Sequence, residues 1–393
     1  MKFEKLGNIA RIQIGKTPPR GIAKYWGKGN SWVSISDLKS STIISTKEEI
    51  TVLAVSECGC KMIPKDTLLM SFKLSIGKVA FAGKDLFTNE AICGIIQKDK
   101  SQVASEYLYY ALKNTKLVGS NVAVKGATLN TASLNALQIP LIEGIENQLH
   151  IANILSKAEN LIAQRKESIL LLDEFLKSTF LEMFGDPATN SKEWKELTLK
   201  DVCQKIQDGT HFSPPVIPEG FPYITAKHVR ENNVDFWSNP WFISEDSHKE
   251  IYKRCNPVKG DVLYIKDGAT TGYAAINPYD FEFSMLSSLA LLKPKIGMTN
   301  SEYLCAWLNN PNAKRSILTK MAGGAIKRLT LTKINALPIL VPPLELQTQF
   351  AQIVDKTVAL KTQYQQSLQE LENLYGSLSQ RAFRGELTIK EKV

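Results

Sequence analysis

Across residues 342–385 the inward positions of a helix fall at Phe350, Ile353, Thr357, Leu360, Tyr364, Ser367, Leu371, Leu374 and Leu378, in alternating steps of three and four. That spacing is the narrow seam of a coiled coil rather than the broader stripe of a globular surface helix. The stretch opens on Pro342-Pro343, which cannot continue a strand ladder, and then runs about forty residues without another proline, so one long helix is expected. A second seam lies across residues 146–184, through Ile151, Leu155, Ala158, Ile162, Arg165, Ile169, Leu172, Leu176, Thr179 and Met183, with Arg165 as the one charged intruder. A narrow seam needs a partner, and the two supply each other.

The two stretches also echo each other in sequence. Gln148 matches Gln347, Ala152 matches Ala351, Ile154 matches Ile353 and Lys157 matches Lys356, at an offset close to half of the 393 residues. The echo extends upstream. Ser105-Glu106-Tyr107-Leu108 recurs as Ser301-Glu302-Tyr303-Leu304, Asn135-Ala136-Leu137 as Asn335-Ala336-Leu337, Gly126-Ala127 as Gly324-Ala325, and Asp66 with Gly77 matches Asp261 with Gly272. The chain is one unit written twice, each copy a globular domain of about 140 to 155 residues followed by a long helix.

Within the first copy, residues 4–14 suggest an opening strand and 15–21 a loop rich in proline and glycine. Alternation marks residues 31–36 as a strand, with Lys16, Arg20, Lys24 and Lys28 clustered around Trp26 and Trp32; the expectation for Trp32 is a core position. Residues 65–72 and 78–82 form an expected hairpin, 91–96 a short buried strand, and Ser105 the cap of a helix through Leu112. In the second copy, residues 207–215 stand where 15–19 stood, 223–230 replace 32–39, and 266–272 replace 73–77. The framework is kept while loop residues change, as expected of two copies presenting different side chains, although drift in unselected loops predicts the same. The fold class is α+β, with two mixed, mainly β domains joined by two long antiparallel helices in a pseudo-two-fold duplication.

Composition supplies enough apolar material for two cores, at 44% hydrophobic and 22% charged. No apolar run reaches the roughly eighteen residues needed to cross a bilayer, so no membrane partner is expected. Met1-Lys2-Phe3-Glu4-Lys5-Leu6 carries an acid and lacks the apolar core of a signal peptide, which makes the cytoplasm the expected location. Of the 6 cysteines one pair is close, Cys58 and Cys60, and the 4 histidines lie far from it in sequence; free thiols, not a metal site, are expected. A net charge of +9 favours a polyanionic partner.

The catalytic motifs in the chain are incomplete. Transfer of a methyl group to a base amine needs an Asn/Asp/Ser-Pro-Pro-aromatic loop, whereas Ser213-Pro214-Pro215-Val216 lacks the aromatic and Asn277-Pro278-Tyr279 lacks the second proline. Gly268-Ala269-Thr270-Thr271-Gly272 is too short for a phosphate-binding loop and has no lysine. Asp186 with Glu193-Trp194-Lys195 mimics a nuclease carboxylate set, but it sits in a linker beside Pro187. A chain that is not an enzyme by itself is the expectation.

Two motifs resemble a known family. Gly15-Lys16-Thr17-Pro18, Tyr25-Trp26-Gly27 and Ser31-Trp32-Val33-Ser34-Ile35-Ser36-Asp37 resemble the start of a target recognition domain in the specificity subunits of type I restriction-modification enzymes. Leu337-Pro338-Ile339-Leu340-Val341-Pro342-Pro343-Leu344-Glu345-Leu346-Gln347 is similar to that family's approach to its second spacer helix, and the likeness covers nearly the whole chain. The first copy departs from it at Leu141-Ile142-Glu143-Gly144-Ile145-Glu146, which lacks the usual double proline.

The resemblance implies recognition domains at 1–142 and 185–342, spacer helices at 143–184 and 343–385, and a tail at 386–393. Each domain would read one half of a bipartite double-stranded DNA site. Helices of about 60 Å would set half-site centres about 10 to 17 base pairs apart. It also implies two modification subunits binding S-adenosylmethionine and two restriction subunits using ATP and Mg2+, with no cofactor on this chain. The expected DNA-binding residues are Lys16, Thr17, Arg20, Lys73 and Lys125 for the first half, and Thr210, His211, Lys227, His228, Arg230, Lys266, Lys327 and Arg328 for the second. A free-standing DNA-binding regulator and a coiled-coil scaffold without nucleic acid remain the alternatives.

Overall fold

The computed structural model describes residues 2–115, 129–319 and 329–389. The chain divides into two compact units, one of Met1–Arg165 with Ser367–Val393 and one of Lys166–Gln366. Each unit holds one half of each long helix, Ile145–Phe184 and Leu344–Ala382.

Within the described residues the first unit is built on a five-stranded sheet in the order Ala10–Ile14, Ile92–Gln97, Leu68–Ser71, Val79–Ala82, Thr42–Ile43. A three-stranded sheet, Glu48–Ile50, Trp26–Val33, Phe87–Thr88, stands beside it. The second unit repeats the pattern with Cys203–Asp208, Leu289–Pro294, Val262–Ile265, Ala274–Ile276 and with Phe242–Ile243, Phe221–Ile224, Ser284–Met285. The expected hairpin is present, Leu68–Ser71 pairing antiparallel with Val79–Ala82, and Ile92–Gln97 is the buried neighbour of both Leu68–Ser71 and Ala10–Ile14.

The opening strand is in fact two strands. Lys2–Lys5 pairs with Gln138–Leu141, and a single helical turn, Leu6–Ile9, separates it from Ala10–Ile14. Leu6 and Ile9 are spaced to face one side of a helical turn and both are buried there, so the turn swings the chain from one sheet to the next. The second unit does the same with Lys195–Thr198, Leu199–Val202 and Cys203–Asp208.

The echoed residues are the joints of each unit. Gln148, near the start of its long helix, accepts from the Ala104 amide at 2.8 Å and donates to the carbonyls of Gln102 and Ile142 at 3.1 and 2.9 Å. Gln347 accepts from the Asn300 amide and the Thr299 hydroxyl at 3.2 and 3.1 Å and donates to Met298 and Pro342 at 3.1 and 2.9 Å. In both units the buried tyrosine of the Ser-Glu-Tyr-Leu motif donates to a carbonyl of the strand that leads into the long helix, Tyr107 to Pro140 and Tyr303 to Leu340. Two expectations change. Ser105 is the first helical residue rather than the cap, and its hydroxyl donates to Gln97. Asp66 corresponds to Gly260, not Asp261: both have positive φ, 62° and 90°, and both donate their amide across the hairpin, to Ala82 and Asn277.

The helix seam is deepest at the two ends. In the first unit Ile151 and Leu155 are fully buried with Ala382, while Leu378 packs partly buried against the same core. In the second unit Phe180 and Phe184 meet Phe350 and Tyr303 in edge-on and stacked ring contacts. Ile162, Ile169, Leu172, Leu176, Ile353, Tyr364 and Leu371 are half-buried, which is what one partner helix can cover. Leu360 and Leu374 are corrections, at 36% and 49% exposed, and next to Leu360 the side chain of Lys361 reaches across to Asp173 at 2.6 Å. A straight helix of 3.6 residues per turn drifts off a 3.5-residue seam and rotates Leu360 outward. Among the described residues no helix is long and apolar enough to cross a membrane.

Candidate nucleic-acid interface

Both candidate sites grow from one backbone corner. After Ala10–Ile14 and after Cys203–Asp208 the chain turns on Gly15 and Gly209. A Cβ at Gly15 would stand 2.2 Å from the Thr88 carbonyl oxygen, and one at Gly209 would stand 2.0 Å from that of Met285. No other residue fits so close an approach. The next amide, of Lys16 or Thr210, donates to that same carbonyl at 2.8 Å in both units.

In the first unit the basic loop is pinned by indoles. Trp32, buried as expected, donates to the Lys16 carbonyl at 3.1 Å, and Trp26 donates to that of Pro19 at 3.3 Å. Arg20 lies 3.9 Å over the Trp26 ring and is held by the carboxylate of Glu48, with one contact at 3.0 Å. The ring and the carboxylate fix its plane while its side chain stays 54% exposed. Thr17 donates to Glu90. Lys73 sits 5.4 Å over the Phe72 ring. Lys125 lies outside the described residues.

The second unit uses a buried carboxylate instead. Asp208, the last residue of its strand, lies within reach of Arg254 Nη2 at 2.7 Å, His211 Nε2 at 3.0 Å and Lys266 Nζ at 3.4 Å. Lys266 is 2% exposed, so it balances the charge of Asp208 and is not a surface group. Arg254 closes the helix Glu245–Arg254 and is exposed; nothing in its local sequence marks it, and it was not among the expected residues.

His228 is likewise internal. It occupies the place of Asp37 in a capping box: Ser34 donates its amide to Asp37, and Thr225 donates its amide to His228 Nδ1 at 3.0 Å. Its Nε2 then carries the proton and donates to the Asn239 carbonyl at 2.9 Å. Burial, the largest effect, holds its pKa below the ordinary 6.5. Arg230 donates to the carbonyls of Lys227 and Val229, and Lys227 stands 4.5 Å over the Trp241 ring. Thr210 is buried, with its hydroxyl accepting from the Phe212 amide at 3.3 Å. Lys327 and Arg328 lie outside the described residues.

The family described as type I restriction modification DNA specificity domain matches residues 1–171 and again 191–373. This chain belongs to that family. It carries two copies of the specificity domain, and its function is DNA target recognition for a type I system, a role without catalysis of its own. It is 26% identical over 413 residues to the type I restriction enzyme MjaIX specificity subunit of Methanocaldococcus jannaschii, covering 99% of this chain and 94% of that protein. To the EcoKI specificity subunit of Escherichia coli K12 it is 22% identical, over 84% of this chain and 76% of that one. In fold it resembles the S subunit from M. genitalium, with a TM-score of 0.57 at 16% identity over 100% of this chain and 96% of the other. A chain from a study of complex assembly in a type I restriction-modification system gives 0.59 at 18% identity, over 98% of both.

Proposed function

We propose that residues 1–142 and 185–342 are two readers of one bipartite DNA site, and that the helices across 143–184 and 343–385 set the gap between the halves. The observation that carries this is the shared corner at Gly15 and Gly209, which delivers a different set of polar side chains in each unit. In the first unit the contacts come from Lys16, Thr17, Arg20 and Lys73, and in the second from His211, Lys227, Arg230 and Arg254. Lysines on phosphates fix register and the held arginines meet base edges.

The partners in this reading are two modification subunits, which bring S-adenosylmethionine and methylate adenine, and two restriction subunits, which bring ATP and Mg2+, acting on cytoplasmic DNA. Exposed apolar side chains on the long helices, among them Leu161, Leu170, Leu171, Phe175 and Val358, support docking of modification subunits there. The test is the methylome, by single-molecule sequencing, of cells expressing this chain with its modification subunit. A two-part motif with a fixed gap, methylated on adenine in both halves, is expected. A soluble complex that methylates no such motif overturns the reading.

A further inference from the structure

One position is filled oppositely in the two units. Ile14 pairs with Cys93, and Cys93 with Met70; in the other sheet Asp208 pairs with Ala290, and Ala290 with Tyr264. Two residues beyond Met70 and Tyr264 stand Phe72 and Lys266, and each accepts the amide of an equivalent residue, Leu129 at 2.9 Å and Leu329 at 2.8 Å. The pair Ile14 and Phe72 therefore occupies in the first unit the places that Asp208 and Lys266 occupy in the second.

Stability does not account for that exchange. A buried ion pair must recover the solvation both charges lose, and an apolar pair in the same space is commonly as stable or more so. The first unit shows that this frame accepts an apolar pair, with Phe72 in its core and Ile14 packed against it. What the second unit gains is an anchored anion at the corner. One oxygen of Asp208 takes Arg254 Nη2 and the other takes His211 Nε2 and Lys266 Nζ. Lys266 cancels the charge of Asp208, so the positive charge of Arg254 remains for a ligand. Arg254 also donates from Nη2 to the Gly209 carbonyl at 3.3 Å, which leaves Nη1 outside these bonds.

We propose that Asp208 is a positioning residue and Arg254 a specificity-determining residue, which through Nη1 reads a guanine in the second half of the DNA target. The inference rests on the reading of the second unit as a DNA reader with Arg254 among its contacts, and adds the base that Arg254 meets and the buried carboxylate that aims it. Guanine follows from the chemistry of its major-groove edge, which offers two acceptors and is the usual partner of arginine. A guanidinium fixed by a buried carboxylate is already ordered before DNA arrives, so little freedom is lost on contact.

The test compares methylomes of wild type, Arg254→Ala and the double variant D208I/K266F, each with the modification subunit, on the chromosomal DNA of the host. Arg254→Ala should relax discrimination at one guanine of the second half-site by about 10-fold or more and leave the first half unchanged. D208I/K266F installs the apolar pair of the first unit. It should fold with an unchanged or higher melting temperature and still relax that same position, an outcome that a purely structural pair would not give. A wild-type bipartite motif that survives Arg254→Ala unaltered overturns the proposal while leaving the two-reader reading intact. A wild type with no bipartite motif overturns both. Arg254 is exposed, so its variant decides the matter even if the double variant is insoluble.

Discussion

The first unit holds an arginine at its corner from outside, by stacking Arg20 on Trp26 and pairing it with a half-exposed Glu48, whereas the second holds one from inside, by the buried Asp208. Next to the two corners the strand pairings correspond, Ile14 with Cys93 and Asp208 with Ala290, although the second strand carries a bulge farther back between Cys203 and Lys205. The backbone frame and its polar load are therefore separable: the frame fixes where a side chain emerges, and either surface stacking or a buried charge can aim it.

The two units should differ most when the carboxylate that holds each arginine is removed. Asp208→Ala leaves Lys266 buried without its counter-charge and should cost about 3–5 kcal/mol in unfolding measurements. The shared corner predicts equality instead: Gly15→Ala and Gly209→Ala each drive a Cβ into backbone and should cost about 1–3 kcal/mol, toward the upper end because backbone cannot yield. Unequal losses there would mean that the two corners are not one design.

His228 sharpens the contrast with Asp37 through pH. Its pKa is lowered in the folded state, so the unfolded chain binds the proton more readily and stability falls as pH drops below about 6.5. Melting curves from pH 7.5 to 5 should show this loss in wild type and less of it in His228→Asn, which keeps an acceptor for the Thr225 amide and cannot titrate. The smallest effect is expected at Glu48→Ala, a pair open to solvent, at under about 1 kcal/mol.

The duplication and the long helices were legible in the sequence because both are periodic. The matched glutamines proved to be matched because each closes the same three-way joint between helix, strand and the next helix. The site was less legible. Lys266 and His228 stand in basic loops by sequence, yet one neutralises a buried aspartate and the other caps a turn. Arg254 and Asp208 are 46 residues apart, one at the end of a helix and the other at the end of a strand, and tertiary packing, not local pattern, brings them together. Leu360 misled for a simpler reason, the drift of a straight helix against a heptad.

If the two units are readers set apart by the long helices, shortening the helices must move the half-sites. Removing one heptad from each helix, residues 162–168 and 364–370, shortens both by about 10 Å, or about 3 base pairs. Sequencing the methylated motif of that variant should show both half-sites unchanged and the gap reduced by about 3 base pairs. Altered half-sites, or an unaltered gap in a folded and active complex, would contradict the division of labour between the units and the helices.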